Sequence, residues 1–395
     1  MNAGRPRVRV LAVGDPAVYG YTDPAESILA PFTERTGIPV DFEIKPWDDY
    51  GAVLFAEAAS DQPAYDIVMV AGHLWLAQFV DAGWLAPVDQ LVAADVLPQI
   101  VAELSYRGRR WLVPSFTDGH IVYDRSDDPR LIDATGLTDP LAVAALAADG
   151  VRVVCKAAPS EIFLDWVPYL WSLGGSWIAE DGEPLFDSAE GREALERYLT
   201  LRSHMDARFS PWGNEEVAQA LRSGSAQIGI SWGGQAGVIV PDAARNRATP
   251  GSYEAGDKPA ANNDPFRYAT LTHPWNVTWS FGLLARAAHP TEASELLAHL
   301  GGPEADTMIA RRAGSPVRAA TYTDDTIVAA CPWLSAQHRL VERARTFPPR
   351  ADLAALMGPM YEHLSIAWTG EQTAAEALAR AAKQIRTVLR DGSLG

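Results

Sequence analysis

The segment DIVMVAGHLWLAQFVDAGWLAPVD, residues 66–89, contains the strand and the helix that decide the fold class. Residues 67–70 form a short apolar run, which is typical of a strand that is covered on both faces. Apolar residues then recur at helical spacing from Trp75, and Gly83 follows as the usual end of a helix. The pattern places His73 and Trp75 at the carboxyl end of a buried strand, where open α/β sheets bind small ligands.

Two earlier strand ends bring further candidate side chains to the same edge. Residues 8–13 predict a strand, residues 23–37 predict a helix with a capping aspartate, and the alternating residues 40–44 predict the next strand. This β-α-β unit implies a parallel sheet. We therefore expect four side chains at one rim of that sheet: Asp15, Trp47, His73 and Trp75.

The remainder of the chain continues as α/β and indicates a second unit with its own core. The predicted elements are a hairpin at 106–110, strands at 111–114 and 121–123, helices at 141–148, 162–173, 191–207 and 214–223, strands at 226–231 and 278–285, and helices at 291–300 and 374–389. Residues 241–274 are rich in Pro, Asn, Ala and Gly, and we predict a surface loop there.

The length of the chain indicates two lobes, and its composition excludes several functional classes. A chain of 395 residues is too long for one ordinary core, so two lobes are expected. Thirty-three basic and fifty acidic residues give a net charge of −17, which argues against a surface for nucleic acid or anionic membrane. No apolar run is long enough to span a membrane. The thirteen tryptophans are unusually many, and each needs apolar cover and a partner for its N–H.

Motifs for cofactors and metals do not occur in the sequence. Cys155 and Cys331 are far apart, which indicates two buried thiols rather than a redox or thiolate–metal motif. Phosphate-loop, dinucleotide and zinc-hydrolase motifs are missing, so no cofactor is predicted. The first residues, MNAGRPRVRVLAVGD, lack an export signal. A cytoplasmic location therefore stays open beside an extracytoplasmic one with a removed or mis-started signal.

Segments along nearly the whole chain resemble the extracellular solute-binding proteins of sugar ABC transporters, of the maltose-binding-protein type. Their order and spacing carry the resemblance, rather than any single motif. The segments are residues 14–15, 32–40, 66–85, 113–124, 171–175, 228–233, 279–283, 314–318 and 367–371. The family implies an α/β, two-lobed periplasmic-binding-protein-like fold (type II), with a hinge between the lobes and a ligand cleft at their interface. It implies a first lobe of residues 1–114 plus 275–322, and a second of 115–274 plus 323–395.

Sugars are held by aromatic rings stacked on their C–H faces and by polar groups that bind their hydroxyls. The resemblance assigns Trp232 to the stacking ring, and Asp15 and Asp118 to acidic sugar ligands. Core packing is the competing interpretation for the tryptophans. For Asp118 it is a turn beside Gly119, for His73 a structural hydrogen bond, and for Asp165 an exposed helix surface. The complete set of candidate ligand-binding residues is Asp15, Trp47, His73, Trp75, Phe116, Asp118, Asp165, Trp232, Gln235, Trp275, Trp279 and Arg318.

The resulting hypothesis is a non-catalytic, monomeric protein that closes around a mono- or oligosaccharide and delivers it to an ABC permease. A cytoplasmic sugar sensor of the same fold is one alternative. A hydrolase is another, because residues 229–233 satisfy G-x-S-x-G around Ser231, with Asp242 and His363 as the other members. Residues 233–237 are, however, a poor helix start. A glycosidase would use the paired carboxylates Asp15 and Asp118.

Overall fold

The computed structural model of the protein describes residues 5–205, 212–240, 266–312 and 315–392. The strands are β1 (Val8–Val13), β2 (Val40–Lys45), β3 (Ile67–Ala71), β4 (Leu85–Ala86), β5 (Ser105–Tyr106), β6 (Arg109–Arg110), β7 (Leu112–Asp118), β8 (His120–Asp124), β9 (Leu137–Thr138), β10 (Val153–Val154), β11 (Ile228–Trp232), β12 (Arg267–Leu271) and β13 (Val277–Leu284).

The α-helices lie on and between two sheets. They are α1 (Pro16–Thr22), α2 (Leu29–Thr36), α3 (Trp47–Ala59), α4 (Gly72–Asp81), α5 (Pro98–Glu103), α6 (Pro140–Ala148), α7 (Ile162–Ser172), α8 (Ala189–Leu199), α9 (Asn214–Ser223), α10 (Ala236–Ile239), α11 (Pro290–Leu300), α12 (Pro303–Arg312), α13 (Ala319–Thr323), α14 (Asp325–Ala330), α15 (Leu334–Arg343), α16 (Leu353–Thr369) and α17 (Ala374–Asp391). Short 3₁₀ turns occupy Thr200–His204 and Gly233–Gln235.

Each sheet forms the centre of one α/β unit. The first sheet has the order β2-β1-β3-β13-β4, with β7 also paired to β13. Strand β1 is parallel to β2 and β3, whereas β13 is antiparallel to its partners. The second sheet has the order β10-β11-β8-β12-β9, and β5 and β6 form a separate hairpin. The chain crosses between the sheets after β7 and again between β12 and β13.

Residues 66–89 fold as predicted. Strand β3 is fully buried, α4 begins directly after it, and Gly83 follows the helix with a φ of 70°. Local signals also predicted the last helix correctly, because Thr373 and Glu376 form a reciprocal capping box at its start. The parallel pairing of β1 with β2 confirms the predicted β-α-β unit.

The helices between β1 and β2 differ from the prediction. The helix expected from residue 23 begins only at Leu29, and a short helix that was not predicted, α1, precedes it. Asp23 accepts a hydrogen bond from the N–H of Ala25 at 2.9 Å, but it caps only a turn. Ser27 has a φ of 52°, in the left-handed region, and this interrupts any helix that starts at residue 23.

Part of the predicted loop at 241–274 is a strand. Residues 267–271 form β12 inside the second sheet, with Arg267 opposite Asp124 and Thr270 opposite Ile121. The loop prediction is wrong there because this pairing joins residues more than 140 positions apart, which local composition cannot reveal. Residues 241–265, like Ala207 and Gly314 in two other predicted segments, lie outside the described residues.

The two cysteines are free and buried, as expected for structural thiols. Cys155 follows β10, and burial raises the pKa of its thiol. Cys331 lies between α14 and α15, where its Sγ donates to the carbonyl of Ala310 at 3.4 Å. Among the described helices, none combines the length and the apolar character that a membrane crossing requires.

Candidate functional site

Three tryptophans form an aromatic wall beside the first sheet. Trp47 begins α3, Trp75 lies in the first turns of α4, and Trp279 lies in β13. The rings of Trp47 and Trp75 are nearly parallel, with centroids 6.5 Å apart, and Trp279 meets each of them edge-on at 5.9 Å. Trp47 is 47% exposed, which makes it one of the few large apolar side chains open to solvent among the described residues. The aromatic wall therefore offers ring surface to a ligand.

A charged cluster lies at the strand ends of the second sheet, and we define it as His120, Lys156, Glu161 and Asp165. The ammonium of Lys156 lies 2.5 Å from Nε2 of His120 and 3.2 Å from Oδ2 of Asp165. Its distance to Oε2 of Glu161 is 3.9 Å. Asp165 also accepts the backbone N–H of Lys156 at 3.1 Å. The lysine, the histidine and Asp165 are almost fully buried, so each charge depends on its neighbours.

Trp232 is held by this cluster. Its indole N–H donates to Oε2 of Glu161 at 2.8 Å, and the Lys156 ammonium lies 4.9 Å from the centre of its ring. His120 and Trp275 meet the ring edge-on, with centroid distances of 5.1 and 4.9 Å. The orientation of the predicted stacking ring is thus fixed by four neighbours.

Burial dominates the titration of the cluster. It raises the pKa of Asp165 to about 7, against the lowering effect of Lys156, and it raises the pKa of Glu161 in the same way. Burial and Lys156 together hold the pKa of His120 well below its usual range, so this imidazole is neutral. Because the ammonium donates to Nε2, the hydrogen of the neutral ring is on Nδ1, which has no partner in the part of the chain that the structure describes.

Asp15 and Asp118 lie at the first crossing between the sheets. Asp15 caps α1 by accepting the N–H of Ala17 at 2.8 Å. Asp118 ends β7, and its Oδ1 accepts the N–H groups of Gly119 at 2.9 Å and Gly234 at 3.1 Å. Burial raises the pKa of Asp15 to about 6 and that of Asp118 to about 8, and the charge of Asp15 contributes to the second shift. The two carboxylates therefore lie close enough to interact.

The segment after Trp232 packs tightly on this crossing and on the end of α12. A Cβ on Gly234 would lie 2.6 Å from Oδ2 of Asp118, and one on Gly237 would lie 1.9 Å from the carbonyl oxygen of Arg312. Gln235, between these glycines, is nearly buried. Helical turns do follow Ser231, against the expectation from residues 233–237. The reason is that Asp118 and the carbonyl of Gly119 accept the first N–H groups of those turns.

Four of the candidate residues belong neither to the aromatic wall nor to the charged cluster. Phe116 is buried within β7 opposite Trp279, and Trp275 is fully buried with its N–H on the carbonyl of Leu164. Arg318 pairs with Asp95, with Nη2 2.7 Å from Oδ1. His73 is half-buried in the first turn of α4; burial lowers its pKa to about 3, and its Nδ1 has no partner among the described residues.

Sequence reasoning missed His120, Lys156 and Glu161. A signal for one of them exists, because the chain has only four lysines and Lys156 directly follows the apolar run Val153-Val154-Cys155. A lysine in such a place needs a buried counter-charge. No comparable signal marks His120 or Glu161, whose roles depend on how β8, β10 and α7 meet.

The geometry at Ser231 differs from that of a nucleophile. The side chain is fully buried inside β11, and its Oγ has no hydrogen-bond partner among the described residues. The Nδ1 of His363 contacts Gln372 at 3.2 Å instead, and Asp242 lies outside the described part. Within residues 5–205, 212–240, 266–312 and 315–392, no three His, Cys, Asp or Glu side chains converge as a metal site requires.

The model of the family of bacterial extracellular solute-binding proteins matches residues 20–307, well over half of the chain. The chain belongs to this family. Its members are binding proteins rather than enzymes, and they are extracellular. The mannitol-binding protein of Pseudomonas aeruginosa is 23% identical to this solute-binding protein over 310 residues, which are 70% of this chain and 66% of that relative. The match thus spans about two thirds of the relative's length.

Solved structures show the same fold. T. maritima MalE3, described as maltose-bound, superposes with a TM-score of 0.78 at 20% identity, covering 97% of this chain and 100% of that one. A solute-binding protein of Thermotoga lettingae with α-D-tagatose gives 0.76 at 18% identity, covering 98% and 100%. One of Agrobacterium vitis with D-mannitol gives 0.75 at 15% identity, covering 98% and 99%. The predicted two-lobed fold of the maltose-binding-protein type is confirmed.

Proposed function

We propose that this solute-binding protein holds a carbohydrate or polyol between its two α/β units, beside the crossing strands. One observation carries the proposal: the second crossing joins the two candidate surfaces. Trp275, at the start of that crossing, packs on Trp232 of the second sheet, and Trp279, four residues later, belongs to the aromatic wall. Ring surface and hydroxyl-binding groups therefore flank one segment, which is the combination that sugar recognition requires.

The proposed contacts come from both units. From the first unit, the aromatic wall stacks on the C–H faces of the ligand and Asp15 binds a hydroxyl. From the crossing and the second unit, Asp118, Gln235 and Glu161 bind hydroxyls, Trp232 stacks, and Asp165 acts through Lys156. The surroundings of Phe116, Trp275 and Arg318 favour structural roles for these three, and His73 stays at the margin of the site.

We place the lobes at residues 1–114 plus 275–322 and 115–274 plus 323–395, with the hinge at the crossings. Helix α4 of the first unit contacts α16 of the second, and the 3₁₀ turn after Trp232 contacts α1, so the two units contact each other at two places. A ligand favours a closed arrangement to the extent that it contacts both units only there.

The biological role that follows is delivery of the bound solute to an ABC permease outside the cytoplasm, without catalysis. The family assignment and the mannitol-binding relative support it. The fully buried Ser231 gives the hydrolase alternative no support. The solved relatives with maltose, tagatose and mannitol define the solutes to be tried first.

A thermal-shift screen tests this function. The purified chain is heated with mannitol, ribitol, tagatose, glucose, maltose and acarbose, and with amino acids as controls. A ligand at a hundred times its Kd adds about 2.7 kcal/mol to the free energy of unfolding, enough to raise Tm by several degrees. We expect a shift with one group of sugars or polyols, and recovery of the solute unaltered. No shift with any of them, or a consumed substrate, would contradict the proposal.

A further inference from the structure

Three carboxylates of the proposed site each have one oxygen hydrogen-bonded to the protein and the other free. Oδ1 of Asp15 accepts one backbone N–H, and Oδ1 of Asp118 accepts two. Oε2 of Glu161 accepts the indole N–H of Trp232. The second oxygen of each makes no hydrogen bond with the residues that the structure describes. These three oxygens are therefore left for a ligand, and each is an acceptor once its carboxyl group is ionised, which for Asp118 happens at about pH 8.

The only cation of the charged cluster has no capacity left for a ligand. Lys156 is fully buried, and its ammonium faces His120, Asp165 and the ring of Trp232, with Glu161 just beyond hydrogen-bond distance. Arg318, the cationic contact that was predicted from the sequence, is occupied by Asp95 and by the carbonyl of Gly301. Neither Lys156 nor Arg318 is therefore free to receive an anionic group on a ligand.

Besides these three oxygens, one nitrogen of the charged cluster has no partner among the described residues. The side chain of His120 is 1% exposed, its ring meets those of Trp232 and Trp275 edge-on, and its Nδ1 has no hydrogen-bond partner in the described chain. Carboxyl oxygens, which accept when ionised and donate when protonated, suit hydroxyl groups, which both donate and accept. A carboxylate or a phosphate only accepts.

We infer that the site takes uncharged carbohydrates or polyols and rejects those that carry a carboxylate or a phosphate. The inference rests on the proposed function and specifies its substrate class. Like charges brought together in a partly buried site cost several kcal/mol, because neither solvent nor a counter-ion screens them. An anionic ligand would therefore bind only if the carboxyl groups took up protons.

Matched ligands that differ at one carbon test the inference. Calorimetry at pH 8 measures binding of mannitol, of mannonate and of 1-amino-1-deoxymannitol, which differ only at C1. If another sugar is the ligand, glucose, glucuronate and 6-amino-6-deoxyglucose form the equivalent series at C6. We expect the acid to bind at least about 100-fold more weakly than the neutral parent, and the amine to stay within about tenfold of it.

A pair of variants separates the effect of the local carboxylates on ligand affinity from the effect of the overall net charge of −17. Glu161→Gln keeps the acceptor for Trp232 but removes one local charge, whereas Asp61→Asn removes one charge from a side chain that is 92% exposed. We expect Glu161→Gln to reduce the ratio between neutral and acidic affinity at least about fivefold. The Asp61→Asn protein should keep the ratio of the unmodified protein within about twofold, because exposed charges are screened by salt.

Three outcomes would overturn the charge preference. They are binding of the acid within tenfold of its neutral parent, an equal loss with acid and amine, which would indicate shape rather than charge, and an equal response of the two variants. Failure of every neutral sugar and polyol to bind is a different result, because it contradicts the proposed function itself.

Discussion

The aromatic wall and the charged cluster differ in what holds their side chains in place. In the wall, Trp47, Trp75 and Trp279 support one another through ring contacts, and Trp47 stays half exposed. In the cluster, Lys156 and Asp165 are buried and hold each other through charge. Dispersion contacts are individually weak, so loss of one ring is tolerated. A buried ion pair fails when either partner is removed, because the remaining charge is left unpaired.

The largest effect we expect is on stability, from Lys156→Met. This change leaves Asp165 and Glu161 without their cation, and we expect the free energy of unfolding to fall by about 3–5 kcal/mol. Denaturant unfolding followed by circular dichroism measures it. Lys383→Met, at an exposed position of α17, is the matched control and should change stability by less than about 0.5 kcal/mol. Equal stability of the two variants would show that charge does not hold the cluster.

Replacing Trp232 should have the largest effect on binding. The Trp232→Ala protein keeps its fold but should bind the sugar found in the screen at least tenfold more weakly, a loss of about 1.4 kcal/mol, because the stacking ring is lost. Trp111→Ala removes a half-buried tryptophan of the hairpin region and serves as control. Calorimetric affinities of the two proteins decide the assignment, and unchanged affinity in Trp232→Ala would remove this ring from the site.

Asp118 should make stability depend on pH, an effect that the aromatic wall cannot produce because tryptophan side chains do not titrate. Its pKa rises from 3.8 to about 8 in the folded protein, so the folded state binds more protons between those values. Stability should therefore fall as the pH rises through this window, by at most about 1.4 kcal/mol per pH unit for one proton, and level off above pH 8.

The variant Asp118→Asn, which keeps an acceptor for Gly119 and Gly234, should reduce that dependence, and Asp15 and Asp165, whose pKa values are also raised, should account for part of what remains. Urea unfolding at pH 5, 6.5 and 8 measures it, with Asp61→Asn as the exposed control. An identical pH dependence in Asp118→Asn and the unmodified protein would exclude Asp118 as the titrating group.

The smallest effect should come from Trp47→Ala. This ring is 47% exposed and has Trp75 and Trp279 beside it, so we expect about a threefold loss of sugar affinity, roughly 0.7 kcal/mol, and little change in Tm. Leu185→Ala, at 46% exposure in the second unit, is the control for removing an exposed apolar side chain. A loss as large as that of Trp232→Ala would mean that the wall binds the ligand as strongly as the cluster side does.

Features encoded within a few residues were predictable from the sequence. The buried strand before His73, the hairpin around Gly108 and the capping box at Thr373 depend on local hydrogen bonds and on short apolar periods. These signals set the α/β class, and the order of the segments indicated the family. The position of Trp232 at a strand end was also predictable, because it ends a short, mainly apolar strand and two glycines follow it.

The tertiary structure alone decided which side chains meet. Lys156 and His120 are 36 residues apart in the chain, and their contact depends on the register of β8 and β11 and on how β10 packs beside them. The same holds for β12. Its local sequence predicts a loop, and it is a strand because it pairs with β8, where Asp124 and Ile121 lie opposite it. Local sequence specifies hydrogen bonds over one or two turns, whereas the pairing of distant strands is set by the burial of whole faces. The position of Trp232 at the end of a strand could therefore be predicted from the sequence, whereas the charged cluster that orients its ring could not.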